Sequence, residues 1–246
     1  MILLIDVGNT RIKWARVATG GKLVETGAAP TASLQEGIAA WSSSPRPEQI
    51  RAVSVASAGL ESSISDWARV QFDLEVAFLR SPAFGNGIVN GYRIPTQLGA
   101  DRWAAMLGAN RRCCGQPFVV VDCGSAVTLD AVGADGRHRG GLILPGLSLS
   151  RRALHRGTAQ LPLADQAMGA LFAADTAAAI GSGTLLGLAA SVDALAAGMS
   201  RSLGRGARLW ITGGDASLLL PYLGGAFSNA PDLVLEGLAV AEVDWR

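Results

Sequence analysis

The sequence predicts an α/β protein built from two duplicated βββαβα halves that face each other across a central cleft. Strand-length apolar runs alternate along the chain with segments of helical spacing. The first apolar run ends in an aspartate and turns through a glycine at residues 5–9, Ile-Asp-Val-Gly-Asn. The same pattern returns 116 residues later at 121–125, Val-Asp-Cys-Gly-Ser. Duplication at this spacing predicts two similar halves.

The first half begins with three predicted strands and continues with alternating helices and strands. Apolar runs between glycine-containing turns predict the strands, and apolar side chains three to four residues apart predict the helices. The predicted elements are strands at 1–6, 11–17 and 22–28, a helix over 34–41, a strand at 50–56, a helix at 60–70 and a strand at 74–79. A loop rich in glycine, asparagine and proline covers 80–97, and a helix follows over 99–111.

The second half restarts the pattern after Gly115 and Pro117. Its predicted elements are strands at 118–123, 126–132 and 138–144, helices near 147–156 and 173–200, a strand at 207–211, a helix at 215–223, a strand at 232–235 and a terminal helix. The turns that close the second strand of each half also match, Ala18-x-Gly20 with Ala134-x-Gly136. We therefore expect one half over residues 1–116 and the other over 117–246.

The composition favours a cytoplasmic protein that acts on small molecules. Apolar residues make up 49% of the 246 residues, enough for a sizeable core. The net charge is +1 and basic runs are no longer than two residues, so the clustered phosphate contacts of a nucleic-acid partner are not expected. The cysteines, Cys113, Cys114 and Cys123, have no disulfide or zinc spacing, which indicates reduced thiols. We interpret the uncharged stretch 177–192 as a buried helix and expect no membrane span.

A strand that ends in aspartate and turns through glycine is suited to binding a nucleotide. The Asp6 carboxylate at the strand end can hold Mg²⁺, directly or through water. Gly8 lets the backbone approach a phosphate, and the amides of the next three residues can point at its oxygens. Lys13 can reach the same phosphates. An ordinary β-hairpin with an aspartate-capped turn is the alternative, and the second occurrence of the motif favours the nucleotide.

Other nucleotide and catalytic motifs are not found in the sequence. No GxxxxGK[ST] sequence occurs, which argues against a P-loop enzyme. Gly181, Gly183 and Gly187 lie in an alanine-rich helical stretch rather than after a strand, so we interpret them as helix-packing positions. His138 and His155 are isolated in the sequence from any serine–histidine–aspartate or metal-binding pattern.

Residues 90–102, which lead into a predicted helix, include an acidic, a basic and an aromatic side chain. Asp101 and Arg102 fall in its first turn, where an acid usually just complements the helix dipole, worth about 0.3–1 kcal/mol. The neighbouring arginine can instead anchor a substrate carboxylate while Asp101 deprotonates a substrate hydroxyl, with Tyr92 lining the pocket. From the residues alone, both interpretations stay open.

Four segments resemble, in the same order, the motifs of the type III pantothenate kinases of the acetate and sugar kinase/Hsp70/actin superfamily. They are residues 6–10 (Asp-Val-Gly-Asn-Thr), 99–102 (Gly-Ala-Asp-Arg), 122–130 (Asp-Cys-Gly-Ser-Ala with Thr128 and Asp130) and 140–146 (Gly-Gly-Leu-Ile-Leu-Pro-Gly). The resemblance spans roughly residues 1–187, and residues 212–215 suit the adenosine-side loop of the superfamily. Ser125 stands where the family commonly has threonine, which keeps a hydroxyl for phosphate. Cys123 occupies a variable position.

The resemblance implies an RNase H-like (actin-like ATPase) fold for each half and a role for each motif residue. Asp101 would be the catalytic base, and Asp122 would bind a monovalent cation, K⁺ or NH₄⁺. The residues implied to bind ATP are Asp6, Val7, Gly8, Asn9, Thr10, Arg11, Ile12, Lys13 and Ser125. The residues implied to bind pantothenate are Tyr92, Gly99, Ala100, Asp101, Arg102 and Thr176. Residues 1–116 would thus hold the phosphate turn and the substrate segment, and 117–246 the cation and nucleotide site.

The resemblance also implies the reaction and the assembly. It implies transfer of a phosphoryl group from ATP, with Mg²⁺, to pantothenate, the first step towards coenzyme A, by a homodimer that contacts through the stretch 173–200. Another small-molecule kinase of the superfamily is one alternative, but it would lack the Tyr92 and Asp101-Arg102 pocket sequence. A transcription-accessory or regulatory protein on the same fold is the other. Such a protein is expected to lack Asp6, Asp101 or Asp122, and all three are present here.

Overall fold

Two five-stranded sheets with the same strand order form the framework of the protein. The computed structural model describes residues 1–18, 22–43, 45–166, 168–204 and 206–241. The chain divides into two compact units. Met1–Arg112 together with the chain from Asp232 onward forms the first, and Cys113–Pro231 forms the second.

The N-terminal elements alternate much as the sequence predicts. In chain order they are β1 (Ile2–Val7), β2 (Arg11–Val17), β3 (Leu23–Pro30), α1 (Leu34–Ser43), β4 (Gln49–Ser54), α2 (Ala58–Phe72), β5 (Val76–Phe78), β6 (Phe84–Gly85), β7 (Ile88–Val89) and α3 (Ala100–Cys113). The predicted loop over 80–97 therefore contains a short hairpin, formed by β6 and β7.

The remaining elements repeat the order of three strands followed by helices and strands. They are β8 (Phe118–Cys123), β9 (Ala126–Val132), β10 (His138–Pro145), α4 (Leu147–Gly157), α5 (Thr176–Leu203), β11 (Arg208–Thr212), α6 (Ala216–Leu219), β12 (Phe227–Asn229) and α7 (Leu233–Val240). α7 packs against β1, so the end of the described chain returns to the first unit.

The two sheets share one topology, which confirms the predicted duplication. The first has the order β3-β2-β1-β4-β5 and the second β10-β9-β8-β11-β12. In each, the first three strands pair antiparallel and the last two run parallel to the first. Asp6 pairs with Lys13, whereas the equivalent Asp122 pairs with Thr128, so the second hairpin is one residue shorter. Of the matching turns that close the second strands, Gly20 lies outside the described residues.

Alternation along the first strands separates a core face from a site face. Leu3, Ile5 and Val7 of β1 join a buried cluster with Trp41 of α1. Asp6 lies between two of these core residues in the sequence and is half-buried on the opposite face. The same alternation in β8 sends Val119, Val121 and Cys123 into the second core. The strand-end aspartates therefore project from the face opposite these clusters.

α5 is a long apolar helix that packs on the second sheet. By length and composition alone it could cross a membrane, with a mean hydropathy of 1.4 over its most apolar window. Leu185, Leu188 and Val192 of this helix lie in the buried cluster of the second unit, together with strands β8, β9 and β11. A core helix of a soluble protein passes the same test, and this packing agrees with the buried helix predicted from the sequence.

The predicted strand at 232–235 is wrong, because these residues begin helix α7. Leu233, Val234 and Leu235 are all buried. A helix buried on every side shows the same short apolar run as a buried strand, so periodicity does not separate them. α7 also approaches α3 closely, since a Cβ on Gly237 would overlap the carbonyl oxygen of Ala104.

Candidate active site

The turn between β1 and β2 is fixed by hydrogen bonds at its base. The Gly8 amide donates to the Arg11 carbonyl at 3.0 Å, and a Cβ on Gly8 would lie 2.9 Å from the same oxygen. Thr31, which follows β3, donates through Oγ1 to the Gly8 carbonyl at 2.8 Å and through its amide to the Thr10 carbonyl at 2.9 Å. Asn9, Thr10 and Arg11 are exposed above this base. Hydrogen bonds at its base therefore fix the turn, which presents backbone and polar side chains to solvent.

Asp6 and Lys13 are cross-strand neighbours directly below this turn. Paired residues of antiparallel strands project to the same face, so the carboxylate and the ammonium share one side of the sheet. Both side chains are half-buried. Val7 and Ile12, which the resemblance includes among the ATP-binding residues, have fully buried side chains, so only their backbone is available to a ligand.

The predicted substrate residues other than Thr176 come together at the start of α3. The buried Arg102 donates through Nη1 to the Tyr92 hydroxyl at 2.8 Å, and its guanidinium lies 5.6 Å from the centre of the tyrosine ring. The Arg102 amide donates to Asp101 Oδ1 at 2.7 Å. Gly99 leaves room for this carboxylate, because a Cβ there would lie 2.6 Å from Asp101 Oδ1. Ala100 is buried beside them.

The turn between β8 and β9 is closed by a similar amide to carbonyl bond, which spans one residue fewer than in the first turn. The Gly124 amide donates to the Ala126 carbonyl at 3.1 Å, and the Gly146 amide donates to the Ser125 carbonyl at 3.1 Å. A Cβ on Gly146 would overlap the Gly124 carbonyl oxygen, so the segment after β10 packs directly on the turn. Asp122, at the end of β8, lies between Thr128 of β9 and Thr212 of β11.

The backbone of the loop after β11 packs closely on the end of β8. Gly213 has a φ of 95°, a conformation that favours glycine, and a Cβ there would lie 2.5 Å from Asp122 Oδ1. The Asp215 amide donates to the Cys123 carbonyl at 2.9 Å. The adenosine-side loop suggested by the sequence therefore lies against the predicted cation ligand, and it brings in a second acid, Asp215.

The charges around this loop suit a bound cation. Burial raises the pKa of the Cys123 thiol, and the negative charges of Asp122 and Asp215 raise it further. Burial also raises the pKa of Asp215 above its ordinary value of 3.8, while the positive charge of Arg151 lowers it. Arg151 is buried and donates through Nη1 to the Asp165 carbonyl at 3.0 Å.

The donor set fits a metal that keeps other ligands. Within the described ranges, no three histidine, cysteine, aspartate or glutamate side chains converge as a metal site. Mg²⁺ is commonly held by one or two carboxylates plus water and substrate phosphates. The strand-end carboxylate of Asp6 fits that pattern, as does the pair Asp122 and Asp215.

Thr176 is the first residue of α5 and is exposed. The preceding Asp175 caps the helix by accepting a hydrogen bond from the Ala178 amide at 2.8 Å. The cap fixes where the helix starts, and with it the position of the Thr176 hydroxyl at the helix N-terminus.

Two residues that contact the candidate site were not among the site residues predicted from the sequence. Asp215 belongs to the suggested adenosine-side loop, and the glycines before it were the signal that could have marked it. Asn90 accepts a hydrogen bond from the Tyr92 amide at 3.0 Å. An isolated asparagine in a loop gave no signal of this role.

Comparison with known proteins identifies one family. The family model described as type III pantothenate kinase matches residues 2–198. A type III pantothenate kinase of Nitrosococcus oceani is 36% identical over 97% of this chain and 92% of its own.

Two solved structures share the fold at lower identity. A proposed 2-dehydro-3-deoxygalactonokinase of Sinorhizobium meliloti has a TM-score of 0.60 at 17% identity, covering 97% of both chains. A proposed Baf-family transcriptional activator of Campylobacter jejuni has a TM-score of 0.58 at 22% identity, covering 96% of this chain and 94% of its own. At these identities the likeness is one of fold alone.

We predict that Asp215→Asn makes the folded protein more stable at pH 7. The raised pKa means that the folded state binds the proton of Asp215 more tightly than the unfolded state. The free energy of unfolding therefore falls as the pH rises from 3.8 through the raised pKa of Asp215. The neutral asparagine of the variant does not titrate, so the variant does not lose this stability. Thermal unfolding of both proteins across a pH series measures the difference, which should shrink towards pH 4.

Asp135→Asn is the matched control in the same unit. The Asp135 carboxylate accepts a hydrogen bond from the Arg137 amide, which lowers its pKa, so its removal has the opposite sign and slightly lowers stability at pH 7. A lower melting temperature for Asp215→Asn than for the wild type at pH 7 would contradict the prediction.

Proposed function

The chain belongs to the type III pantothenate kinase family, and from this premise we propose which of its residues carry the reaction. The protein is a kinase that uses ATP to phosphorylate pantothenate to 4′-phosphopantothenate, the first step of coenzyme A biosynthesis. The observation that carries the assignment of residues is the cluster of Tyr92, Asp101 and Arg102 at the start of α3.

Asp101 is the catalytic base. Its carboxylate accepts the proton of the pantothenate hydroxyl as that oxygen attacks the γ-phosphorus, and the bond from this phosphorus to the bridging oxygen of ADP breaks. Arg102 and Tyr92 bind and orient pantothenate, and Gly99, Ala100 and Thr176 also bind it. The supporting geometry is the space that Gly99 leaves for the Asp101 carboxylate.

The first turn binds the phosphates of ATP. Backbone groups of residues 7–12, the side chain of Lys13 and the hydroxyl of Ser125 contact the phosphate oxygens. Asp6 holds Mg²⁺, and this ion when bound neutralises phosphate charge. Phosphoryl transfer depends mostly on such positioning and charge neutralisation. The fixed base of the turn and the cross-strand pair of Asp6 and Lys13 support this assignment.

Asp122 binds a monovalent cation, K⁺ or NH₄⁺, in the second half. The support is the negative charge that Asp122 and Asp215 place on the Cys123 thiol, which a cation would offset. The functional division follows the repeat, with the phosphate turn and substrate segment in residues 1–116. Residues 117–246 hold the cation and nucleotide site.

The protein works as a cytoplasmic homodimer. Leu171 and Phe172, just before α5, are 78% and 91% exposed, and a partner that covers them and part of α5 would remove this apolar surface from water. Light scattering on the purified protein should give the mass of two chains, and the mass of one chain would refute the dimer. Fractionation of cells can test the cytoplasmic location.

The rival functions have less support. The Sinorhizobium and Campylobacter structures share the fold with this chain but are below 25% identical to it. A sugar-acid kinase would not need the Tyr92–Arg102 pair, which we assign to the pantothenate pocket. A regulatory protein has no need to keep all three of Asp6, Asp101 and Asp122 in its sequence.

We predict that Asp101→Asn lowers kcat by about 10²–10⁴-fold, the usual range for a general base, because the amide cannot accept the hydroxyl proton. The dissociation constant for ATP should change little. Steady-state kinetics and ATP titration measure the two effects. Glu36→Gln is the matched control, since Glu36 is an exposed acid in the first turn of α1. Turnover by Asp101→Asn close to that of the wild type would rule out Asp101 as the base.

A second prediction concerns the monovalent cation. Wild-type turnover should fall when K⁺ is replaced by a bulky organic cation and recover with NH₄⁺, because Asp122 needs a small cation at its carboxylate. Asp122→Asn should have low turnover that no longer responds to K⁺, whereas Asp135→Asn should respond normally. Equal turnover of the wild type with and without K⁺ would refute the cation site.

A further inference from the structure

Asn90 is a buried side chain whose amide nitrogen and oxygen both form hydrogen bonds within the substrate segment. It follows β7 and is 8% exposed. Its Nδ2 donates to the Pro82 carbonyl at 3.0 Å and to the Pro95 carbonyl at 3.2 Å. Its Oδ1 accepts from the Tyr92 amide at 3.0 Å. The side-chain amide therefore satisfies both donors and its acceptor with backbone groups.

These partners tie together the stretches of chain that frame Tyr92. Pro82 precedes the β6–β7 hairpin and Pro95 follows Tyr92, so one side chain joins the chain before and after the tyrosine. Ser81, next to Pro82, is also buried and donates through Oγ to the Gly99 carbonyl at 3.4 Å. Side chain to backbone bonds therefore close the loop in addition to the β6–β7 hairpin.

The closed loop sets the position of the arginine in the pocket. The Tyr92 hydroxyl accepts a hydrogen bond from Arg102 Nη1, and the tyrosine ring lies beside the same guanidinium. The backbone amide of Arg102 in turn donates a hydrogen bond to the Asp101 carboxylate. A change in the backbone at Tyr92 is therefore passed to the group that would hold the substrate acid.

We propose that Asn90 is a positioning residue for pantothenate, acting through Tyr92 on Arg102. The inference rests on the proposed pantothenate pocket and adds to it the residue that holds the pocket in its binding geometry. Asn90 itself makes its bonds to backbone and does not touch the substrate. Its effect should therefore fall on pantothenate and not on ATP, which binds at the other turns.

The test is steady-state kinetics of the full chain with Asn90→Ala. The KM for pantothenate should rise about tenfold to a hundredfold, as expected when a binding group is displaced by about an ångström, while the KM for ATP stays within about twofold. Asn110→Ala is the matched control. It removes one amide to carbonyl bond of similar length, from Asn110 Nδ2 to the Asn86 carbonyl at 2.9 Å, and should change neither KM.

A double-mutant cycle separates positioning from general loosening of the fold. If Asn90 acts through Tyr92, the combined effect of Asn90→Ala and Tyr92→Phe on the pantothenate KM is smaller than the product of the single effects. Asn90→Ser, which leaves a hydroxyl in the buried position, serves in the same cycle if the alanine variant does not fold. Multiplying effects, or equal increases in both KM values, would overturn the inference.

The pocket assignment can fail separately. If Arg102→Lys leaves the pantothenate KM unchanged, the proposed pocket is wrong and the inference about Asn90 falls with it. If Arg102→Lys raises this KM while a folded Asn90→Ala does not, only the inference about Asn90 is refuted.

Discussion

The turns that follow the two strand-end aspartates are held in place by close backbone packing and by hydrogen bonds. In the second unit, Gly213 adopts a positive φ and its backbone lies against Asp122 and Cys123, while the Asp215 amide holds the same loop to β8. In the first unit, Thr31 holds both sides of the turn that follows Asp6. Because these contacts are made within the folded chain, the strand ends that carry the carboxylates are positioned before a ligand binds. Such preorganisation is what charge stabilisation in phosphoryl transfer requires.

The fold was largely predictable because its signals are local. Each half opens with an apolar strand, an aspartate and a glycine turn, and the pairing of neighbouring strands follows from short connections. Prediction failed at 232–235, where the apolar run belongs to a helix buried between β1 and α3. The pairing register, with Asp6 opposite Lys13 but Asp122 opposite Thr128, depends on turn geometry that the aligned sequences do not display.

The site was predictable only where its residues are neighbours in the chain. Asp101 and Arg102 are adjacent, and Tyr92, which accepts a hydrogen bond from Arg102, lies in the same segment of the chain. Asn90 could not be identified, because its role arises from bonds to the backbone of two prolines that only the folded loop brings to it. Asp215 acquires its raised pKa from burial, which outweighs the opposing positive charge of Arg151, and neither effect can be read from the sequence.

Identification of the reaction product tests the central claim most directly. The purified protein would be incubated with ATP, Mg²⁺, K⁺ and pantothenate, and the products would be followed by ³¹P NMR and mass spectrometry. The account predicts one equivalent of ADP for each equivalent of pantothenate phosphorylated at its primary hydroxyl, with no ADP formed when pantothenate is left out. Release of ADP that leaves pantothenate unmodified, or phosphorylation of a sugar acid in preference to pantothenate, would contradict it.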